Sequence, residues 1–216
     1  MKVCEELLPP LQDFQEIYEE DPVFARGLNW LNVHQPETVR LMGYANICHE
    51  LLMTGQTLGE YLTDAVTYSA APLLAKTAKE PTAPRKMALA YDISLLKRVV
   101  EQYTADEVKK ALAGMPGACA DYAALPDFES GTFTLTADKL LRRVKKYGTG
   151  DYARYKAFTF KGGRLVPVLT IDPIRLTDLK NYEFQRNQVV ENTEAFLHGL
   201  PAQNVLLYGD RGCGKS

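Results

Sequence analysis

From the first residue to about Tyr147, apolar side chains recur at spacings of three and four, the period of helices that turn one face inward. Asp21-Pro22 predicts an N-cap followed by proline at the first helical position. Gln35-Pro36-Glu37 opens a helix running to about Met53 and ending at Gly55. The next run, from about Thr57 to Lys79, sets Leu58, Leu62, Ala65, Val66, Leu73 and Leu74 on one side, with Pro72 placed to kink or split it. Pro81 and Pro84 mark a break. Arg85 to Tyr103 reads as an amphipathic helix with Met87, Ala90, Tyr91, Leu95, Val99 and Tyr103 along one stripe. Thr104-x-x-Glu107 is a capping-box pattern that starts a short helix closing near Gly114. Met115 to Ser130 reads as a loop. Thr136 to Tyr147 reads as a helix with Leu140, Leu141, Val144 and Tyr147 inward and its lysines and arginines outward.

The period then changes. Tyr155 to Phe160 and Arg164 to Thr170 are β-prone runs joined by Gly162-Gly163, a pair that tolerates the positive φ of tight hairpin turns. Asp172-Pro173 predicts a turn, and Asn181 predicts the cap of a helix from about Tyr182 to His198 that Gly199-Leu200-Pro201 stops. Asn204 to Tyr208 predicts a short apolar strand. The expected fold is a mainly helical N-terminal domain (1–150) and a β-hairpin connector (151–170). After these, 171–216 would form the first helix and strand of an α/β module.

With 46% hydrophobic and 24% charged residues, the chain has the mixture of a protein that buries a core. No apolar run approaches the ~20 residues that span a bilayer. The start turns acidic at once, without a signal segment, so a cytoplasmic protein with no membrane partner is expected. The four cysteines, Cys4, Cys48, Cys119 and Cys213, show no metal-ligand spacing and are expected as unpaired thiols. His49-Glu50 lacks the second histidine of a zinc-protease helix and reads as helix surface. The net charge of -2 is unevenly spread: Asp138 to Arg164 holds 9 basic against 2 acidic side chains. Tyr147, Tyr152, Tyr155, Phe158 and Phe160 interleave with that basic run. Single-stranded nucleic acid is one use for such a composition, but a solvated helix face followed by a hairpin with core aromatics accounts for it, so nucleic acid is not an expected partner.

The sharpest chemistry lies at Gly209-Asp210-Arg211-Gly212-Cys213-Gly214-Lys215-Ser216, which fits the phosphate-loop pattern Gly-x-x-x-x-Gly-Lys-Ser. Its glycines let the backbone curl so that successive amides point into one concavity and bind phosphate oxygens. Lys215 offers a mobile positive charge to the outer phosphates, and the Ser216 hydroxyl is the expected Mg2+ ligand. The expected cofactors are ATP and Mg2+. Cys213 occupies a position of the pattern open to many residue types.

The residues from Asp172-Pro173-Ile174-Arg175 through Tyr182, Gln185 and Asn192-Thr193-Glu194 to Leu200-Pro201 and Asn204–Gly209 resemble a bacterial AAA+ ATPase family long catalogued as a domain of unknown function. Tyr152–Phe158 with Gly162-Gly163-Arg164-Leu165 is similar to the region before the ATPase module in that family. The resemblance is strongest from about Gly148 to Ser216. It implies an ATP-binding αβα module of the P-loop, AAA+ type beginning near Ile171, with Ile174, Leu179, Lys180, Asn181 and Tyr182 lining the adenine pocket. Related proteins commonly carry a small apolar residue and a glycine where this chain has Lys180 and Asn181. The acidic pair, sensors and arginine finger are expected beyond Ser216, so this stretch is read as truncated at its phosphate loop, binding ATP weakly or not at all by itself. The resemblance also implies ATP hydrolysis coupled to remodelling of an unknown protein client, and a homo-oligomer for the full-length protein. A helical interaction or regulatory domain with a non-hydrolysing phosphate loop is the alternative.

Overall fold

The computed structural model describes residues 14–212 and 214, in two compact units divided between Val168 and Leu169. Cys4 and the acidic residues Glu5, Glu6 and Asp13 lie outside the described residues, as do Cys213, Lys215 and Ser216.

Among the described residues the first unit is mainly helical up to its C-terminal hairpin. Helices α1 (Gln15–Glu20) and α2 (Pro22–Ala25) meet at Asp21, whose Oδ1 accepts from the amides of Val23 at 2.9 Å and Phe24 at 3.3 Å. Asp21 Oδ2 also accepts from the Tyr61 hydroxyl at 3.1 Å, tying this cap to a distant helix. Burial pushes the Asp21 carboxyl above its usual range. Helix α3 (Glu37–Thr54) ends at Gly55 as its sequence predicts. The run from Thr57 to Lys79 is split rather than kinked: α4 (Leu58–Thr67) stops, and α5 (Pro72–Lys79) restarts with Pro72 at its first position, where a missing N–H costs nothing.

Helix α6 (Ala83–Gln102) corrects the predicted stripe. It buries Leu89, Asp92, Ile93, Leu95, Leu96, Val99 and Val100, while Met87 is 73% and Tyr91 47% exposed. A row spaced by fours drifts about 40° around the helix per step, so it leaves the core face within two turns. Helix α7 (Ala105–Ala113) is capped by Thr104 Oγ1, which accepts from the Glu107 amide at 3.3 Å. Helix α8 (Ala137–Tyr147) buries Leu140 and Val144, but Tyr147, expected inward, is 54% exposed. The one-turn helix α9 (Asp151–Arg154) has no signature in the periodicity. Strands β1 (Phe158–Lys161) and β2 (Arg164–Pro167) then form the predicted antiparallel hairpin, with Phe160 opposite Leu165 and Gly162-Gly163 in the turn.

The large fully buried side chains, among them Phe14, Phe24, Tyr44, Ile47, Leu62, Leu74 and Leu96, all come from this unit. Helix α5 packs on α8, and α6 contacts α4, α5 and α8. The segment predicted as a loop, 115–130, and its continuation to Leu135 have almost no regular structure, yet deliver Met115, Tyr122, Phe128 and Phe133 to the core. What holds this segment is the first turn of α4. The Leu58 amide donates to Glu129 O and the Gly59 amide to Ser130 O, both at 2.8 Å, and the Glu60 amide to Thr57 Oγ1 at 3.3 Å. These three donors are among those every helix leaves without an internal partner. At its other end the segment is gripped by Glu37 Oε1, which accepts from the amides of Cys119 (2.7 Å) and Ala120 (3.1 Å) and from the Tyr122 hydroxyl (3.0 Å).

In the second unit the described residues form a 3₁₀ turn (Leu176–Asp178) and α10 (Glu183–Leu197), and none is fully buried. Two predictions are corrected there. Asn181 does not cap α10, whose N-cap is Tyr182 without a side-chain bond; Asn181 instead takes a left-handed φ of 66°. Asn204–Tyr208 is not a strand, because the only ladder among the described residues is β1–β2. Exposure along Val205, Leu206, Leu207 and Tyr208 nonetheless runs 49, 84, 52 and 89%, the alternation of extended backbone.

Two outcomes are expected. A Cβ at Gly59 would lie 2.5 Å from the Thr132 backbone, so Gly59→Ala should cost about 1–3 kcal/mol in denaturant unfolding. Backbone amides, first that of Cys119, hold the Glu37 carboxyl below its usual 4.5. Its stabilising contribution is therefore present above that value and is lost as pH falls through the lower folded value. Glu37→Gln should lower Tm at pH 7, and its difference from wild type should shrink on acidification below 4.5, as read by thermal scans across pH.

Candidate functional site

The phosphate-loop sequence opens just after the extended apolar residues, where the backbone changes direction. Gly209 has φ 147°, and Arg211-Gly212 form a turn with φ 80° at Gly212, followed by φ 76° at Gly214. Three positive values within six residues are accessible only because these positions lack Cβ atoms. A chain that bends this way turns consecutive amides toward one side, the property that makes a nest for anions.

Of the five residues expected at the adenine pocket, the structure brings Leu179 to the loop. A Cβ built at Gly214 would fall 2.6 Å from Leu179 Cδ2, so the leucine side chain lies directly against the glycine face. Leu179 is half-buried, in a unit whose residues are otherwise mostly exposed. For Ile174, Lys180 and Asn181 the hydrogen bonds run within the segment before α10. The Ile174 amide donates to Asp172 Oδ1 at 3.0 Å, closing the predicted turn at Pro173. Lys180 Nζ donates to Thr177 O at 3.3 Å, and the Asn181 amide to Glu183 Oε1 at 3.3 Å. Backbone amides, those of Glu183 itself and Asn181, hold the Glu183 carboxyl below the usual range. Tyr182 is 43% and Ile174 63% exposed. Asn181 takes a left-handed φ of 66°, a region asparagine tolerates better than other residues with a Cβ. Lys215, the expected phosphate ligand, and Ser216, the expected magnesium ligand, lie outside the described residues.

Two residues to which the sequence assigns no role position the loop. Asn192, in the middle of α10, donates through Nδ2 to Gln203 O at 2.8 Å and accepts from the Gln203 amide through Oδ1 at 2.7 Å. One side-chain amide thus satisfies both backbone groups of the residue that starts the extended run, as a neighbouring strand would. Arg186 Nη1 donates to Leu176 O at 3.1 Å and joins the same helix to the 3₁₀ turn that precedes Leu179. Both parts that meet at Gly214 are therefore referenced to α10. An asparagine in mid-helix, where its helix propensity is poor, is the signal that marks such a role.

The family model described as "Protein of unknown function (DUF815)" matches residues 153–216, from the end of α9 through the hairpin to the phosphate-loop sequence. Residues 14–152 lie outside that match. No curated protein and no solved structure matches the chain.

Replacing Asn192 by leucine removes both bonds at constant bulk. The expected result is faster hydrogen exchange at the Gln203 amide, by about ten-fold or more for the two bonds removed, with α3 and α6 unchanged. Asn192→Asp, which keeps the acceptor, should fall between the two.

Proposed function

We propose that Gly209–Ser216 is the ATP- and Mg2+-binding loop of a P-loop ATPase of the AAA+ type, which in the whole protein couples hydrolysis to remodelling of a protein client. The observation that carries the reading is the conjunction at Gly214: a phosphate-loop sequence, backbone bent through three glycines of positive φ, and an apolar side chain from the expected adenine segment seated on the loop. Leu179 packs so closely on Gly214 that position 214 has no room for a Cβ, so glycine is required there by packing as well as by its positive φ. In this reading the amides of the loop bind phosphates, Lys215 neutralises their charge, Ser216 ligates the ion, and Leu179 sets the distance between phosphates and base. The ion would supply electrostatic stabilisation of the transferring phosphoryl group.

Leu169, Ile174, Leu176, Phe184, Phe196, Leu197, Leu206 and Tyr208 are each more than half exposed. The backbone groups of Asn204–Tyr208 have no hydrogen-bond partner among the described residues. Both features fit a stretch that becomes a strand when further strands of an α/β sheet pair with it, since apolar area and free backbone groups are what a sheet consumes.

The test is binding of a fluorescent ATP analogue, with Mg2+, to the product of the whole reading frame that encodes this chain. Wild type should bind, and Lys215→Ala should weaken binding about ten-fold or more, equivalent to ~1.4 kcal/mol or greater. Gly214→Ala should abolish it, and adding Leu179→Ala should not restore it, because the φ of 76° remains strained for alanine even when the clash is gone. Equal affinity in wild type and Lys215→Ala sinks the reading. Binding without release of phosphate would keep the site and replace hydrolysis by a regulatory role.

A further inference from the structure

The sequence assigns the aromatics of the basic stretch to the core, but the structure leaves several at the surface: Tyr147 is 54%, Tyr152 68% and Phe160 73% exposed. None of the 9 basic side chains between Asp138 and Arg164 forms an ion pair among the described residues. This stretch of the surface is therefore cationic without internal compensation, in a chain whose net charge is -2.

The cations are also ordered. Lys146 Nζ lies 4.9 Å from the centre of the Tyr147 ring, Arg143 Cζ 5.6 Å from the same ring and 4.6 Å from that of Tyr68, and Arg154 Cζ 5.1 Å from Tyr68. Lys146, Tyr147, Arg143, Tyr68 and Arg154 thus form one alternating file of cation and ring, drawn from α8, the end of α4 and α9. On the same short helix as Arg154, Tyr152 stacks toward the hairpin, its ring centre 5.1 Å from that of Phe158. Stacking fixes each guanidinium plane; Arg143, whose Nη1 is buried, lies between Tyr68 and Tyr147 inside the file, while Lys146 and Arg154 are exposed to solvent. Preorganised guanidinium edges without a carboxylate suit a chain of phosphates, and exposed rings in the same file suit bases.

We propose that this file is a binding surface for single-stranded nucleic acid, with phosphates at Lys146 and Arg154, Arg143 holding the two tyrosines in line, and bases stacked on Tyr147 and Tyr152. The exposed rings favour it over an anionic membrane, which needs charge but no stacking platforms. The surface lies in the first unit and does not depend on the phosphate-loop reading.

The experiment is fluorescence anisotropy of a labelled single-stranded oligonucleotide of about 20 nucleotides, titrated with the whole chain at several salt concentrations. Wild type should bind at low salt, with affinity falling steeply as salt rises. Lys146→Glu with Arg154→Glu should weaken binding at least ten-fold and reduce the salt slope by ~0.7 for each phosphate that is no longer neutralised. Tyr147→Ala and Tyr152→Ala should each weaken binding about ten-fold with the slope unchanged. Circular dichroism of each variant confirms that the fold is kept. Absence of binding at low salt overturns the proposal, as does indifference to the charge reversals. A tyrosine-independent interaction, matched by heparin or phosphatidylserine vesicles, overturns the assignment to nucleic acid.

Discussion

The first turn of α4 is the joint on which the helical unit depends. Its amides at Leu58 and Gly59 need acceptors, and the carbonyls of Glu129 and Ser130 supply them. That pairing brings a segment with almost no regular structure of its own against the helix so closely that position 59 has no room for a side chain. Once seated, the segment carries Phe128 and Phe133 into the core and starts α8 at a defined place, capped by Thr136. Helix α8 in turn delivers Arg143 to Tyr68. A few backbone bonds therefore connect the packing of the core to the arrangement of surface charge.

The second unit is held differently. Its described residues bury no side chain fully, so little hydrophobic free energy stabilises it, and polar contacts set its geometry. Asn192 grips Gln203, Arg186 grips Leu176, and the two segments so referenced meet where Leu179 covers Gly214. Side-chain-to-backbone bonds of this kind give direction without much stability. They suit a region proposed to present backbone amides to phosphates.

Much of the fold is legible in the sequence because local rules and tertiary packing agree. Asp21-Pro22, Gly55, Pro72, Thr104, Thr136 and Gly162-Gly163 each determine a backbone event through their own chemistry, and each event occurs where the residue stands. The departures share a cause. Asn181 and Tyr182 are separable only by which of them takes the left-handed φ. The core stripe of α6 leaves its predicted line because Met87 and Tyr91 are apolar yet stay at the surface, whereas Asp92 is buried. The run Asn204–Tyr208 has the composition of a strand, but a strand requires a second chain segment beside it.

By itself the sequence determined the helices of the described residues between 15 and 147, the hairpin and the phosphate-loop pattern, because caps, turn glycines and the spacing Gly-x-x-x-x-Gly-Lys-Ser act over a few residues. Only the tertiary structure decided which apolar faces are covered, that Leu179 meets Gly214, and that Tyr68 joins arginines about 75 and 85 residues away in one file. Those outcomes depend on contacts between segments far apart in the chain, and distance in sequence carries no information about them until the core has brought the segments together.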